Sequence, residues 1–355
     1  MAKKEWMTSR ERVDAALRLQ IPDRVPLYIF GPQLKCKLAG FDLDEYCHNP
    51  EMIALANLHY TEKYGDDISD HFPDTWFLHE GWGMPLRWMP GVPPVPARYL
   101  IQQPEDYEKK LKVLDPYRDG RMPVVLESIR LVHQKTQGKI SILTLAFAPL
   151  SYLAQIRGMV TSMQDLILHP KQVHAALEVL TETVIRFYQA AAEAGASLFV
   201  YHNAREDYSL LTAKQVDEFG LPYDTRVLTA VKALGVPTVL HMCGPEPMMG
   251  KLIADLPAGS FAGIQFWDKG ANVTLADAKR KYGDKICLMA GFDNVGTVPF
   301  GTSEEVKREA ENSLQVASGG GGFILGGGCE LPPSTPEANL HALSETVKSK
   351  GMYDH

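Results

Sequence analysis

The stretch that decides the fold is Thr238-Val-Leu-His-Met-Cys243, a short apolar run between Gly235-Val-Pro237 and Gly244-Pro245. Short apolar runs flanked by Gly and Pro are typical of buried strands. Similar runs recur along the chain, and stretches with helical spacing separate them. The eight predicted strands cover residues 25–30, 66–72, 140–147, 197–202, 238–243, 262–267, 286–290 and 322–325.

The segments between these runs carry the start signals of helices. Thr8 with Glu11 and Thr212 with Gln215 have the spacing of capping boxes, and residues 170–194 form a long amphipathic stretch. Strands that alternate with helices indicate parallel βαβ units, and eight of them favour a closed (β/α)8 TIM barrel. We therefore expect one domain over 1–355, with an N-terminal helical extension at 1–20 and a Trp/Pro-rich insertion or lid near the active face at 72–96.

Composition narrows the class of protein. The 355 residues are 45% hydrophobic and carry a net charge of −7, without the basic stripe expected of a nucleic-acid binder. There is no 18-residue apolar run and no signal-like N-terminal segment. Five cysteines are too few for a disulfide framework. We expect a cytoplasmic protein with reduced thiols and no membrane or nucleic-acid partner.

One pattern of residues points to metal chemistry. His241 and Cys243 stand two apart at the end of the fifth predicted strand and therefore project to the same side. Cys329 follows the eighth strand, and all strand ends of a barrel meet on its active face. One imidazole and two thiolates are a zinc set with an open fourth position. The alternative from spacing alone is a core histidine and buried structural cysteines, as we expect for Cys36 and Cys287.

Several longer segments resemble a known family. They are Ala192-Glu-Ala-Gly-Ala196, Val216-Asp-Glu-Phe-Gly-Leu-Pro-Tyr223, the segment 235–244, Gly291-Phe-Asp-Asn294, and 319–333 followed by Thr335-Pro336 and Asn339. On these residues the chain resembles the uroporphyrinogen decarboxylase superfamily, and within it the zinc- and corrinoid-dependent methyltransferase branch. The resemblance implies that His241, Cys243 and Cys329 bind Zn²⁺. The Arg-rich segment of true decarboxylases is missing from residues 25–33, so decarboxylation is not expected.

The resemblance leaves the methyl donor open. The first hypothesis is an O-demethylase component that moves a methyl group from a methoxylated aromatic compound to the cobalt of a corrinoid protein. The alternative is a methylcorrinoid:thiol methyltransferase of the coenzyme M type. A third hypothesis, from another class, is a non-catalytic corrinoid- or tetrapyrrole-binding protein. The aromatic segment 72–96 favours the first hypothesis only modestly, because flat apolar walls suit an aromatic ring.

Other polar and aromatic side chains are expected at the same end of the barrel. Glu330 is a candidate fourth ligand, and Glu206 a candidate helper in catalysis. The candidate substrate-binding residues are Trp76, Trp82, Trp88, Tyr201, Asn203, Arg205, Trp267 and Asp268. For the tryptophans, the alternative is that they cover the barrel mouth or form an oligomer contact. For Asn203, Arg205 and Glu206, the alternative is that their side chains only cap the loop that follows the fourth predicted strand.

The expected partners follow from what the sequence lacks. It has no Asp-x-His-x-x-Gly, the pattern of a protein that carries its own corrinoid on a histidine. A separate corrinoid protein, docked on the active face, is therefore expected to supply this cofactor, together with a small methylated substrate. A homodimer is expected only from the general frequency of such assemblies.

Overall fold

A computed structural model of the chain describes residues 5–354, and its centre is a parallel sheet that curls into a barrel. Eight strands pair in the order β1-β10-β9-β8-β7-β6-β5-β2, all in parallel, while β3 and β4 form a separate antiparallel hairpin. All eight predicted strands are confirmed to within a few residues. The strands are β1 Leu27–Tyr28, β2 Ile68–His71, β3 Leu86–Met89, β4 Val92–Pro96, β5 Ser141–Phe147, β6 Leu198–His202, β7 Thr238–Met242, β8 Gly263–Phe266, β9 Cys287–Phe292 and β10 Phe323–Gly327.

The barrel closes at a seam between the short strand β1 and β2. The backbone N–H of Asp67 donates to the carbonyl of Leu27 at 2.9 Å, and the Leu27 N–H donates to the Asp67 carboxylate at 2.8 Å. The Ile29 N–H donates to the Asp66 carboxylate at 3.3 Å. Between two longer strands, backbone carbonyls would accept these hydrogen bonds. Here side-chain carboxylates accept them and satisfy the N–H groups of Leu27 and Ile29.

Helices surround the barrel. The predicted long helix is confirmed as α9, and the Thr8 and Thr212 capping boxes begin α1 and α10. The helices are α1 Ser9–Leu17, α2 Pro32–Leu38, α3 Leu43–His48, α4 Pro50–Tyr64, α5 Asp106–Lys110, α6 Met122–Thr136, α7 Pro149–Arg157, α8 Met159–Leu168, α9 Pro170–Ala194, α10 Ala213–Phe219, α11 Leu221–Lys232, α12 Met249–Asp255, α13 Leu275–Tyr282, α14 Thr297–Phe300, α15 Ser303–Ala317 and α16 Glu337–Lys350. Of the predicted extension 1–20, residues 1–4 lie outside the described residues.

The predicted insertion has a structure of its own. It follows β2 and contains a 3-10 turn, His79–Trp82, and then the β3–β4 hairpin. Strand β4 holds three prolines, which fits a two-stranded ribbon apart from the barrel sheet, since proline cannot donate to a ladder. Within residues 5–354 no helix is both long and apolar enough to cross a membrane.

Candidate metal-binding site

The register of the barrel strands places several polar side chains in one layer. His202 of β6 is in register with His241 of β7, and His241 with Gln265 of β8. Residues in register on parallel strands project to the same side of the sheet. The neighbouring Tyr201 bonds to Asp224 of α11, outside the barrel, so the layer of His202 and His241 faces the barrel interior.

The side chain of His241 is held in one orientation. Its Nδ1 lies 2.8 Å from Oε1 of Gln265, and Gln265 in turn donates from Nε2 to the carbonyl of Gly327 at 2.9 Å. Since an amide oxygen only accepts, Nδ1 carries the proton and Nε2 presents its lone pair. His241 Nε2 is buried and makes no hydrogen bond of ordinary geometry. An oriented imidazole with a free buried lone pair is suited to a metal ion.

The two predicted thiol ligands meet beside this ring. Hydrogen bonding to Cys329 lowers the pKa of Cys243, and the positive charge of Arg205 adds to this effect, while burial opposes it. The same contact with Cys243, together with burial, raises the pKa of Cys329 well above its usual value, and nearby His241 lowers it. Cys329 thus contacts Cys243 and lies near His241, and binding of a metal by these three residues stays a prediction. Cys36 and Cys287 are buried elsewhere, and burial raises the pKa of each to about 12.

A residue that the sequence analysis did not single out joins this group. A ring nitrogen of His202, one of His241 and the Cys243 sulfur all lie within 4.8 Å of one another. The two imidazole rings stack with centroids 4.3 Å apart. Only the strand register could have revealed His202, because nothing in the local sequence distinguishes it from a core histidine.

Arg205 is a cation close enough to act on the Cys243 thiol. It is half-buried, its Nε has no hydrogen-bond partner, and within residues 5–354 no carboxylate pairs with it. Burial lowers its pKa, and the Cys243 thiol acts in the opposite direction. An arginine held partly out of water without a counter-charge can bind an anion.

Three other predicted residues of this loop form a separate cluster on the outer side of β6. Tyr201 donates to the Asp224 carboxylate, and Asn203 Nδ2 donates to it at 2.8 Å. Burial raises the pKa of Asp224 to about 6 and that of Glu206 well above its usual value, and Asp224 raises the latter further. Two ionised carboxylates cannot share a buried site, so the pair retains a proton. Tyr201, Asn203 and Glu206 therefore contact α11 rather than the thiols.

The remaining polar candidates occupy different positions around the site. Asp268 accepts from the Gly291 N–H at 3.0 Å and pairs with Lys269, so its carboxylate is committed to the backbone of β9. Trp267 packs against Gly328, where an added Cβ would lie 2.4 Å from the tryptophan Cα, and its Nε1 is unpartnered. Glu330 is half-buried, and burial together with Asp70 raises its pKa to about 7.

The tryptophans of the insertion do not gather around the thiols. Trp82 is buried and donates from Nε1 to the Lys112 carbonyl at 2.9 Å. Trp88 packs outside the barrel, against His48 and beneath the guanidinium of Arg121. The predicted wall of tryptophans is wrong for these two, because both rings are used in packing the insertion.

Trp76 belongs to a line of rings that leads toward the site. It lies 4.9 Å from His79, and the line continues through Tyr152 and Phe147 to His202, with neighbouring centroids 4.4–5.5 Å apart. The aromatic side chain that borders His202 is therefore Phe147, with Tyr152 packed behind it, and the sequence analysis proposed neither.

Comparison with known proteins places the chain in a family. The family model described as uroporphyrinogen decarboxylase (URO-D) matches residues 8–350. The match spans nearly the whole barrel, and the chain belongs to this family.

Individual relatives carry two kinds of name. The chain is 25% identical to the methylcobamide:CoM methyltransferase MtbA of Methanosarcina acetivorans, over 96% of this chain and 98% of that protein. It is 24% identical to the uroporphyrinogen decarboxylase of Chlorobaculum tepidum, over 96% and 97% of the two chains. A solved methyltransferase from Methanosarcina mazei has the same fold, with a TM-score of 0.83 at 24% identity over 96% and 98% of the two chains. Relatives named for methyl transfer and for decarboxylation are thus almost equally similar in sequence.

Proposed function

We propose that this protein transfers a methyl group between the cobalt of a corrinoid protein and a small thiol, at a zinc site formed by His241, Cys243 and Cys329. The observation that carries the proposal is that a ring nitrogen of the oriented His241 and the Cys243 sulfur lie within 4.8 Å of each other, with Cys329 hydrogen-bonded to Cys243. This donor set fits Zn²⁺, which would keep a bound thiol ionised at neutral pH.

The chain's own side chains would align the reactants. The Gln265 amide holds the His241 ring, and Arg205 supplies a positive charge next to Cys243 for an acidic group of the substrate. In the transfer, the sulfur lone pair forms the new C–S bond. The Co–C bond breaks with its electrons left on cobalt, so that Co(III) becomes Co(I), and the thiol proton passes to solvent.

Two observations favour this reaction over decarboxylation. Residues 25–33 contain no arginine, and the cations beside β1, Arg24 and Lys35, are already paired with Asp67 and Asp70. A substrate with many carboxylates needs several free guanidinium groups. The name of the methylcobamide:CoM relative, which is similar over almost its full length, supports a thiol acceptor.

A methoxylated aromatic donor is the second candidate. The ring of Phe147 next to His202 favours it, since it makes the surroundings of this histidine apolar. In this direction Co(I) would attack the methyl carbon and become Co(III), while the C–O bond would break with its electrons on oxygen and the phenolate would take up a proton from solvent. Trp82 is buried and bonded to the Lys112 carbonyl, and Trp88 packs against Arg121 away from the thiols, which removes the main reason to rank this candidate first.

One assay separates these candidates. The zinc-loaded protein is mixed with a methylated corrinoid protein and coenzyme M, or with the reduced corrinoid protein and a methoxybenzoate, and the cobalt absorption spectrum is followed. We expect demethylation of the corrinoid in the first mixture. Methylation in the second mixture alone would establish the ether donor, and no change in either would reject methyl transfer.

A further inference from the structure

We propose that His202 is a fourth and displaceable ligand of the metal site, which occupies the substrate position until a thiol binds. The inference rests on the zinc site proposed above and assigns a role to a side chain outside that ligand set. It replaces the open fourth position, and the candidate Glu330, with a second imidazole.

The positions of the ligand atoms support a four-ligand set. In tetrahedral zinc sites, nitrogen and sulfur ligands lie about 3.3–3.8 Å from one another. The candidate atoms of His202, His241 and Cys243 are within 4.8 Å of one another without an ion, so a contraction of roughly 1 Å would bring these three atoms to ligand distances. Cys329, in contact with Cys243, would supply the remaining sulfur.

The surroundings of His202 lack any other polar use for its ring. Its Nδ1 is buried without a hydrogen-bond partner, and the ring is packed between Phe147 and His241. The Nδ1 atom of this ring therefore has no side-chain hydrogen bond to lose by binding an ion.

The contrast between the two histidines identifies which one is displaced. Gln265 fixes His241 through Nδ1, and the Gly327 carbonyl fixes Gln265. His202 has no hydrogen bond of this kind, and its other neighbour is the apolar ring of Phe147. Hydrogen bonds to the far side of a ligating histidine strengthen its hold on the metal. His202 is therefore the weaker ligand, and an incoming thiolate would take its place.

Binding of the thiol would then replace one ligand of the metal instead of adding a ligand to it. The thiol loses its proton to solvent and its sulfur becomes a ligand, while His202 leaves with its nitrogen lone pair. A site closed by four protein ligands would also exclude water from the metal until the thiol arrives.

X-ray absorption at the zinc edge tests this directly, because it counts imidazole and sulfur ligands. For the zinc-loaded protein we expect two imidazoles and two sulfurs, changing to one imidazole and three sulfurs with coenzyme M. His202→Gln should show one imidazole before coenzyme M is added and should bind zinc at least about tenfold more weakly against a chelator. The matched control is His79→Gln, which changes another buried histidine that bonds only to Gln155.

The outcomes separate this inference from the proposed function. One imidazole in the unmodified protein, with unchanged zinc affinity in His202→Gln, would overturn the role of His202 and leave the site of His241, Cys243 and Cys329 standing. A second imidazole that persists with coenzyme M bound would overturn the displacement. Absence of zinc binding in the unmodified protein would reject both proposals.

Discussion

Two buried polar regions lie at opposite ends of the barrel, and their hydrogen bonding differs. At the seam, near the amino ends of β1 and β2, Arg12 pairs with Asp23 at 2.6 Å and with Asp67 at 2.7 Å, and Arg24 pairs with Asp67 at 2.7 Å. Burial alone would raise the pKa of Asp23, but Arg12 and two backbone N–H groups lower it to about 2. Every carboxylate of this network faces a cation.

The cluster at the carboxyl ends of β6, β7 and β10 contains no such ion pairs within residues 5–354. His202 Nδ1, His241 Nε2 and Arg205 Nε have no partner, although each is buried. Burying a polar atom without a partner costs about 1–3 kcal/mol, so a fold retains such atoms where a ligand completes them. This difference supports a structural role for the seam and the proposed binding role for the cluster, in line with the two ends of a barrel.

The largest expected effect is loss of the metal from the cluster. Cys329→Ala or Cys243→Ala should leave a folded protein with little zinc and no methyl transfer, because each removes a thiolate ligand. Cys287→Ala, which lies in the core away from the site, should keep both. Metal analysis and the cobalt assay on the three variants make the comparison, and full zinc occupancy with full turnover in Cys329→Ala would contradict the site.

The seam should respond in the opposite way. Asp67→Asn leaves Arg12 and Arg24 without their shared carboxylate and should lower the free energy of unfolding by about 3–5 kcal/mol. Zinc content per folded molecule should not change. Urea denaturation measures the effect, with the exposed Asp284→Asn as control. A loss below about 1 kcal/mol would show that the seam does not depend on this network.

A smaller, substrate-specific effect is expected from Arg205. Arg205→Gln should raise KM for coenzyme M roughly tenfold or more, since a charge-assisted hydrogen bond contributes about 1.5–3 kcal/mol, and should change kcat little. The uncharged thiol 2-mercaptoethanol provides the control, because its KM should be unaffected. Equal losses with both thiols would mean that Arg205 acts on the thiol ligands rather than on an acidic substrate group.

A pH slope in stability is expected from Asp66, next to the seam. Burial raises the pKa of this carboxyl to about 8, against 3.8 for an exposed aspartate, although Lys35 opposes the shift. The folded protein therefore keeps a proton that the unfolded chain loses, and stability falls as the pH rises from about 4 to 8. The contribution is at most about 1.4 kcal/mol per pH unit. Denaturation across this range should show a flatter profile for Asp66→Asn, and parallel profiles would contradict the shift.

The barrel strands could be predicted from the sequence because each is a short apolar run next to Gly or Pro. The structure of the insertion could not be predicted in the same way. The proline-rich Val92–Pro96 does not resemble a strand and forms one only in an isolated hairpin. The positions of its tryptophans could not be predicted either, because they depend on how the insertion packs against the rest of the chain. Sequence shows that rings are present but not that Trp82 finds the Lys112 carbonyl.

For the site, spacing and family resemblance were sufficient to propose His241, Cys243 and Cys329. They did not show which side chains at the end of β6 face the barrel interior and which face the surrounding helices. Tyr201 and Asn203 face Asp224 of α11, whereas His202 between them faces the barrel interior. That alternation depends on where β6 ends and how it aligns with β7, which a single sequence does not define.

The central claim, that this cluster binds a thiol as a thiolate on zinc, is tested most directly by proton release. Calorimetric titration of the zinc-loaded protein with coenzyme M, in buffers of different ionisation enthalpy at pH 7, measures the number of protons released. We expect close to one proton per thiol bound, and none with the metal-free protein or Cys329→Ala. Binding without proton release, or equal binding with and without zinc, would contradict the account.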